Sequence, residues 1–372
     1  MKILYVTTIS LTMNSFFKPH IEMLVNEGHH VDIACNYNDL PLDALYERLG
    51  CNFFQIDFSR SPLSKNNLKA FSQLKKVVED GKYDIVHCHT PNASVITRLV
   101  CRKFRKKNGL RVFYTAHGFH FYKGAPKINW IYYYPVEKFC SRFTDKLITI
   151  NKEDYSLAKN KFKAKEVCYV PGVGIDLSRF ENIQVDRNAK RREIGVSEDS
   201  FVLTSVGEIS ERKNHIAILE ALTKIDNENI HYVIVGKGAL LDELQAFAKN
   251  HAMENRIHFL GFRNDVAEIY KASDICCLPS IHEGLPVALM EGMASGLPCV
   301  ASRIRGNTDL IDNSDCLVNY WDYDGFATSI KKLIDEPEMR NDISKSNIQR
   351  VRNFEKQIVL EKMMELYNQL SV

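Results

Sequence analysis

An alternation that stops and then starts again constrains this chain more than any other feature. Short apolar runs at Lys2–Thr8, His30–Cys35, Asn52–Asp57, Tyr83–His87, Arg111–Thr115, Lys146–Ile150 and Val167–Val170 are separated by helical runs. Strands separated by helices pair in parallel, and continuous apolar runs suit strands buried on both faces. The polar, charged stretch Ser178–Ser200 then reads as a linker and lead-in. After it the pattern resumes at Phe201–Val206, His231–Val235, Ile257–Leu260, Ile275–Leu278 and Cys299–Ala301. The expected fold is α/β, with two Rossmann-like domains over residues 1–180 and 181–353. A closing helix, 354–372, places Ile358, Leu360, Met363, Met364, Tyr367 and Leu370 at helical spacing. Near the start, a polar loop is read over Ser10–Asn14 and a helix over Phe16–Asn26.

A length of 372 residues fits two domains, and 45% hydrophobic with 26% charged residues is ordinary for a globular protein. The ten cysteines lack metal-ligand spacing and read as reduced, buried thiols of a cytoplasmic protein. MKILYVTTISL has no small-residue cleavage site, so it reads as a first buried strand and not as a leader. No apolar run approaches the ~18 residues of a membrane span. The net charge of +3 conceals an asymmetry. Met1–Phe180 holds 27 Lys and Arg against 16 Asp and Glu, while the remainder holds 22 against 30. A basic half implies an anionic partner. Its densest run is Arg98, Arg102, Lys103, Arg105, Lys106, Lys107 and Arg111. A nucleic acid would need a reading element and stacking aromatics as well, and neither is read here.

The most informative stretch is EGLPVALMEGMASGLP, Glu283 to Pro298. Pro286 suits a first helical position, and Gly296 and Pro298 end the helix. Glu283 therefore falls in the loop before the helix, and Glu291 about a turn and a half inside it. The free N–H groups around Gly284, Leu285, Pro286, Val287 and Ala288 favour an anion. A carboxylate at each edge of an anion site suits a ligand with hydroxyls at both ends and phosphate between them, as in a sugar nucleotide. On spacing alone, an ordinary capped helix with two surface glutamates is the favoured reading.

This stretch resembles the E-x7-E segment of the retaining glycosyltransferases of the GT-B fold, family four. Ser205–Asn214 (SVGEISERKN) resembles that family's phosphate-binding turn: Gly207 is the tight glycine and Lys213 matches its lysine, while Glu208 replaces the usual arginine. Arg212 is the substitute cation. The loop after the first strand lacks the family's Gly-Gly pair, so Ser10 or Asn14 is expected to contact the donor by side chain. The absence of G-x-G-x-x-G there also excludes a dinucleotide enzyme. His117, in Thr115–Phe121 (TAHGFHF), resembles the histidine that faces the reacting sugar, and the longer motif resembles capsule and exopolysaccharide transferases. His120 reads as structural. Gly236-Lys-Gly238 reads as a tight turn. Arg263, after Gly261-Phe262, sits where the family reads the base, and Asn307, after Arg305-Gly306, opens a helix near the ligand. Asp322-Tyr-Asp324 precedes a helical run and reads as an N-cap, not as a metal site.

The resemblance implies two domains facing each other across a cleft, with 1–180 on the acceptor side and the final helix crossing back to it. It implies transfer from a nucleotide sugar, a UDP-sugar, to a lipid-linked saccharide in capsular or exopolysaccharide assembly, with retention and without a metal. Glu291 would hold the ribose, Glu283 the donor sugar, Lys213 and Arg212 the diphosphate, and His117 the reacting centre. The basic domain would lie on an anionic membrane at its cytoplasmic face. A nucleotide-sugar 2-epimerase of the same fold, a transferase with a soluble acceptor and a non-catalytic binder remain open alternatives.

Overall fold

A computed structural model describes residues 1–369. The chain divides into two units, Met1–Val173 with Val359–Val372, and Gly174–Ile358. These divisions fall a few residues from the expected 180/181 and 353/354. The polar stretch Ser178–Ser200 is not a linker. It carries helices Ser178–Glu181 and Arg187–Glu193 and belongs to the second unit. There Arg191 is buried, pairing with Asp274 at 2.7 Å and donating to the carbonyls of Ala272 and Ser200. Charge density reads as a solvated linker only when the charges are unpaired.

The first unit contains β1 (Lys2–Ile9), β2 (His30–Asn36), β3 (Phe53–Gln55), β4 (Ile85–His89), β5 (Arg111–Ala116), β6 (Lys146–Thr149) and β7 (Glu166–Tyr169). They form one parallel sheet in the order β3-β2-β1-β4-β5-β6-β7. Alternation along β1 shows why both faces are covered. Leu4 and Val6 enter one core cluster with Val86, Val112 and Leu147. Ile3 and Tyr5 enter the other with Ile33, Phe113 and Ile148. The C-terminal helix Lys356–Asn368 closes this second face with Val359, Met363 and Tyr367. Leu370, expected on the same stripe, lies outside the described residues.

The second unit contains β8 (Phe201–Val206), β9 (Ile230–Val235), β10 (Ile257–Gly261), β11 (Ile275–Leu278), β12 (Cys299–Ser302) and β13 (Leu317–Val318), parallel in the order β10-β9-β8-β11-β12-β13. In both sheets the chain winds outward, then returns to the other side of its starting strand. That reversal opens a crevice at the strand C-termini, between β1 and β4 and between β8 and β11, where ligands of such sheets bind. All ten cysteines are buried and unpaired.

Candidate active site

In the second unit the loops leaving β8 and β11 meet. After β8 comes Gly207, in the left-handed region at φ 152°. A Cβ there would stand 3.0 Å from Cε of Lys213. Glycine therefore lets the lysine fold back over the strand end. Arg212 and Lys213 lie in the turn before helix Ile216–Thr223, not at its start. After β11 comes Glu283, whose Oε1 accepts from Nζ of Lys213 at 2.7 Å and from Nη1 of Arg212 at 2.9 Å. Burial tends to raise the Glu283 carboxyl, but the two cations outweigh burial and hold it below the usual carboxylate range. Glu208, at the family's arginine position, is exposed, and Arg212 reaches the same carboxylate oxygen as Lys213.

The Glu283 loop is clamped on both sides. The Ile281 N–H donates to the Arg212 carbonyl at 2.8 Å, and Asn214 Nδ2 donates to the Pro279 carbonyl at 3.0 Å. Opposite, Nε of the buried Arg305 donates to the Glu283 carbonyl at 3.1 Å, and its Nη2 lies 2.5 Å from Nε2 of His282. Gly306, at φ 79°, permits this approach, because a Cβ would come within 2.4 Å of the Gly284 carbonyl oxygen. Beside it, buried Asn307 donates to the Ser302 carbonyl at 2.9 Å, and its Oδ1 has no partner among the described residues.

The helix starts one residue later than expected. Pro286 is its N-cap, and Val287–Ala294 are helical, following Gly284 and buried Leu285. Glu291, on the fifth helical residue, contrasts with Glu283. No hydrogen bond to its carboxylate is present among the described residues, and burial raises its pKa against a smaller opposing pull from Arg179. One carboxylate is thus neutralised by two cations, while the other is desolvated and open to hydroxyl donors. Arg263 is committed elsewhere, to Asp265 at 2.5–2.7 Å and to Glu193. Asp322 caps its helix by accepting from the Gly325 N–H at 2.8 Å.

The corresponding crevice in the first unit is built mainly from neutral groups. Ser10–Asn14 is not a loop but part of helix Ser10–Phe16. Ser10 Oγ donates to the Leu40 carbonyl at 2.5 Å and Asn14 Nδ2 to the Pro41 carbonyl at 3.0 Å, so both side chains fasten the segment after β2. Thr90, at φ 65°, holds a left-handed conformation costly for a residue with a Cβ. Its Oγ1 accepts from the Thr8 N–H at 3.0 Å, joining the ends of β1 and β4.

His117 follows β5, and its Nε2 lies 3.2 Å from Nδ1 of His89. His87 and His20 complete a four-imidazole cluster around Tyr5 and Phe17. Burial depresses His117 and His20 to about 4, and His87 and His89 well below their usual value, so the cluster is neutral at physiological pH. A cavity of about 340 Å³ opens beside it, lined by Thr8, Thr12, Arg60, Thr90, His120 and Tyr133 among others. His120 thus faces a cavity, although the sequence marks it as structural. The sequence signal for Thr8, Thr90 and His89 was their place at strand ends.

Arg98 is not part of a basic surface. It is fully buried, paired with Glu137 at 2.8 Å and stacked on Tyr114. Arg105 pairs with Asp145 at 2.6 Å. Arg102, Lys103, Lys106 and Lys107 remain exposed.

Residues 186–350 match the family "Glycosyl transferases group 1", and residues 2–151 match "Glycosyl transferase 4-like". EpsD of Bacillus subtilis (strain 168), named as a glycosyltransferase, is 34% identical over 99% of this chain and 96% of its own length. An Escherichia coli UDP-Gal:alpha-D-GlcNAc-diphosphoundecaprenol alpha-1,3-galactosyltransferase is 30% identical over 85% of this chain and 82% of its own. Among solved structures, Anabaena HepE in complex with UDP and glucose superposes with a TM-score of 0.79 at 18% identity, covering 99% of this chain and 100% of its own, which shows the GT-B fold. With its two parallel sheets and matches along nearly its whole length, the chain belongs to the family four glycosyltransferases of GT-B fold.

Proposed function

We propose that the protein moves a sugar from a nucleotide sugar, a UDP-sugar, to a lipid-linked saccharide in capsular or exopolysaccharide assembly. Transfer retains anomeric configuration and is metal-independent, and the enzyme works peripherally at the cytoplasmic face of a membrane. The observation that carries the reading is the convergence of Lys213 and Arg212 on Glu283 at the end of β8 and β11. A departing diphosphate needs cationic donors held in place before the bond breaks. Glu283 holds them, and an arriving diphosphate competes for the same N–H groups. Glu291, whose carboxylate has no hydrogen bond among the described residues, takes the ribose hydroxyls. The Glu283 loop, clamped by Arg305 and Asn214, presents its carboxylate to the donor sugar.

The neutral His117 can orient a hydroxyl without competing for the diphosphate's negative charge. Arg60, lining the first unit's cavity, supplies a cation for an acceptor phosphate. The E. coli relative's diphosphoundecaprenol substrate supports a lipid-linked acceptor, and HepE's bound UDP supports the donor. The proposed chemistry loads the leaving group on Arg212 and Lys213.

Incubation with labelled UDP-sugars and a polyprenyl-diphosphate saccharide tests the reading. The expected product is an elongated lipid carrying a retained α-linkage. Release of free UDP and an epimerised sugar, without elongation, would overturn it in favour of a 2-epimerase.

A further inference from the structure

The exposed side of helix Lys127–Cys140 is mostly apolar. Its inner side packs Trp130, Tyr133 and Tyr134 on the first unit's core and buries Glu137 and Cys140. Its outer side carries Ile128, Ile131, Tyr132, Val136 and Phe139, and all five are exposed, Ile131 and Tyr132 by 65% each. Their spacing places them in one stripe. Scattered exposed apolar side chains are ordinary, but an apolar stripe along one helix marks an interaction surface.

The charge around the stripe identifies the partner. From Tyr122 to Phe143 the one carboxylate is Glu137, which is spent on buried Arg98. The exposed charges, Lys123, Lys127, Lys138 and Arg142, are all positive. Helix Pro91–Asn108 packs alongside: Arg98 meets Glu137, and Arg105 donates to the Arg142 carbonyl at 3.2 Å. The two contacts run in the same order, so the C-terminal ends lie together. This brings the C-terminal turns of helix Pro91–Asn108 toward the Phe139 end of the stripe, with exposed Arg102 and Lys106 nearest the Arg98–Arg105 row. Apolar side chains bordered by cations complement the acyl boundary and phosphates of an anionic bilayer.

We propose that the outer face of helix Lys127–Cys140 docks the protein on an anionic lipid surface. Ile131, Tyr132 and Phe139 enter the headgroup boundary, and the neighbouring cations pair with lipid phosphates. The proposal rests on the reading that the acceptor is lipid-linked, and it adds the element that makes the contact. Among the described residues no helix is long and apolar enough to cross a membrane, so attachment through this face is reversible.

Flotation of the full chain with vesicles of phosphatidylcholine, alone or mixed with phosphatidylglycerol, tests it. Wild type is expected on the mixed vesicles. The triple variant Ile131→Ser, Tyr132→Ser, Phe139→Ser should bind at least about tenfold more weakly, because apolar burial is a main part of interfacial affinity. Its melting temperature and free-nucleotide affinity should be unchanged, since these side chains face solvent. Tyr132→Trp, which keeps the stripe, should show fluorescence quenched by brominated acyl chains. Equal vesicle binding by wild type and the triple variant would overturn the proposal. So would a wild-type dimer that the triple variant splits, without vesicle binding, because the face would then belong to a second copy. Transfer to a detergent-solubilised lipid-linked acceptor separates the two readings: activity there with no vesicle binding sinks this inference alone, and no transfer sinks the proposed function.

Discussion

The two sheets share a winding and differ in what they place at their strand ends. Between β8 and β11 stand a lysine, an arginine and a glutamate in direct contact, with a second glutamate near by. Between β1 and β4 stand hydroxyls and neutral imidazoles, with Arg60 lining the cavity. Topology decides where a crevice opens, and the loop residues decide its chemistry. A leaving diphosphate concentrates charge, whereas an attacking hydroxyl requires orientation and a place for its proton. The charged crevice fits the first task and the neutral one the second.

The largest effect we expect tests a fully buried cation of the first unit, Arg98. If that unit's catalytic end works through neutral groups, the Arg98–Glu137 pair is structural. Glu137→Ala leaves a fully buried guanidinium without its carboxylate, a loss of about 3–5 kcal/mol. Urea unfolding should show it, while turnover per folded molecule stays near wild type. A large loss of turnover at full stability would put charge into the first unit's chemistry and break the contrast.

Next is Lys213→Ala. Removing one preorganised donor to a developing charge costs about 10²–10³ in turnover, or about 2.7–4 kcal/mol. Free-nucleotide binding should weaken less than turnover falls. A raised KM with intact kcat would make Lys213 a uniform binder. Smaller still is Glu291→Ala, expected to weaken free-nucleotide binding by about 1.5–3 kcal/mol through lost charge-assisted hydrogen bonds. Unchanged titration calorimetry would remove Glu291 from the ribose.

Much of this arrangement is legible in the sequence. β8 and β11 match their apolar runs residue for residue, because buried parallel strands leave continuous apolar signals. β13 has two residues and too little pattern to see. Helix Ser10–Phe16 reads as a loop because its polar residues favour turns and Ile9 supplies no cap. Lys213, Glu283 and Glu291 stand out through motif resemblance, but the pairing of Glu283 with both cations does not, because it joins residues about 70 positions apart. The same holds for the imidazole cluster, since alternation along β4 marks His87 and His89 only as strand residues. Arg98 was misread for a different reason. Its charge drew attention, although Ala93, Thr97 and Cys101 place it on a buried helix face.

The smallest expected effect separates the two glutamates by pH. In the proposed reading ionised Glu291 would accept the ribose hydroxyls, and its protonated form would be a poorer acceptor. Its pKa is raised by burial, so it takes a proton at a higher pH than an ordinary glutamate. Nucleotide-sugar affinity is therefore full above that raised value and declines as pH falls through it, by at most about tenfold per pH unit for one competing proton. Glu283 moves the other way: Lys213 and Arg212 hold its pKa down, so it stays ionised throughout that window. His117, depressed to about 4, stays neutral through most of it and adds no step near the usual imidazole value. Calorimetric titrations with an intact nucleotide sugar, whose diphosphate lacks the free nucleotide's ionisation near pH 6, should show an inflection above the ordinary glutamate value, and Glu291→Gln should flatten it. An inflection that persists in Glu291→Gln would assign the proton to another group and remove the difference drawn here between the two carboxylates.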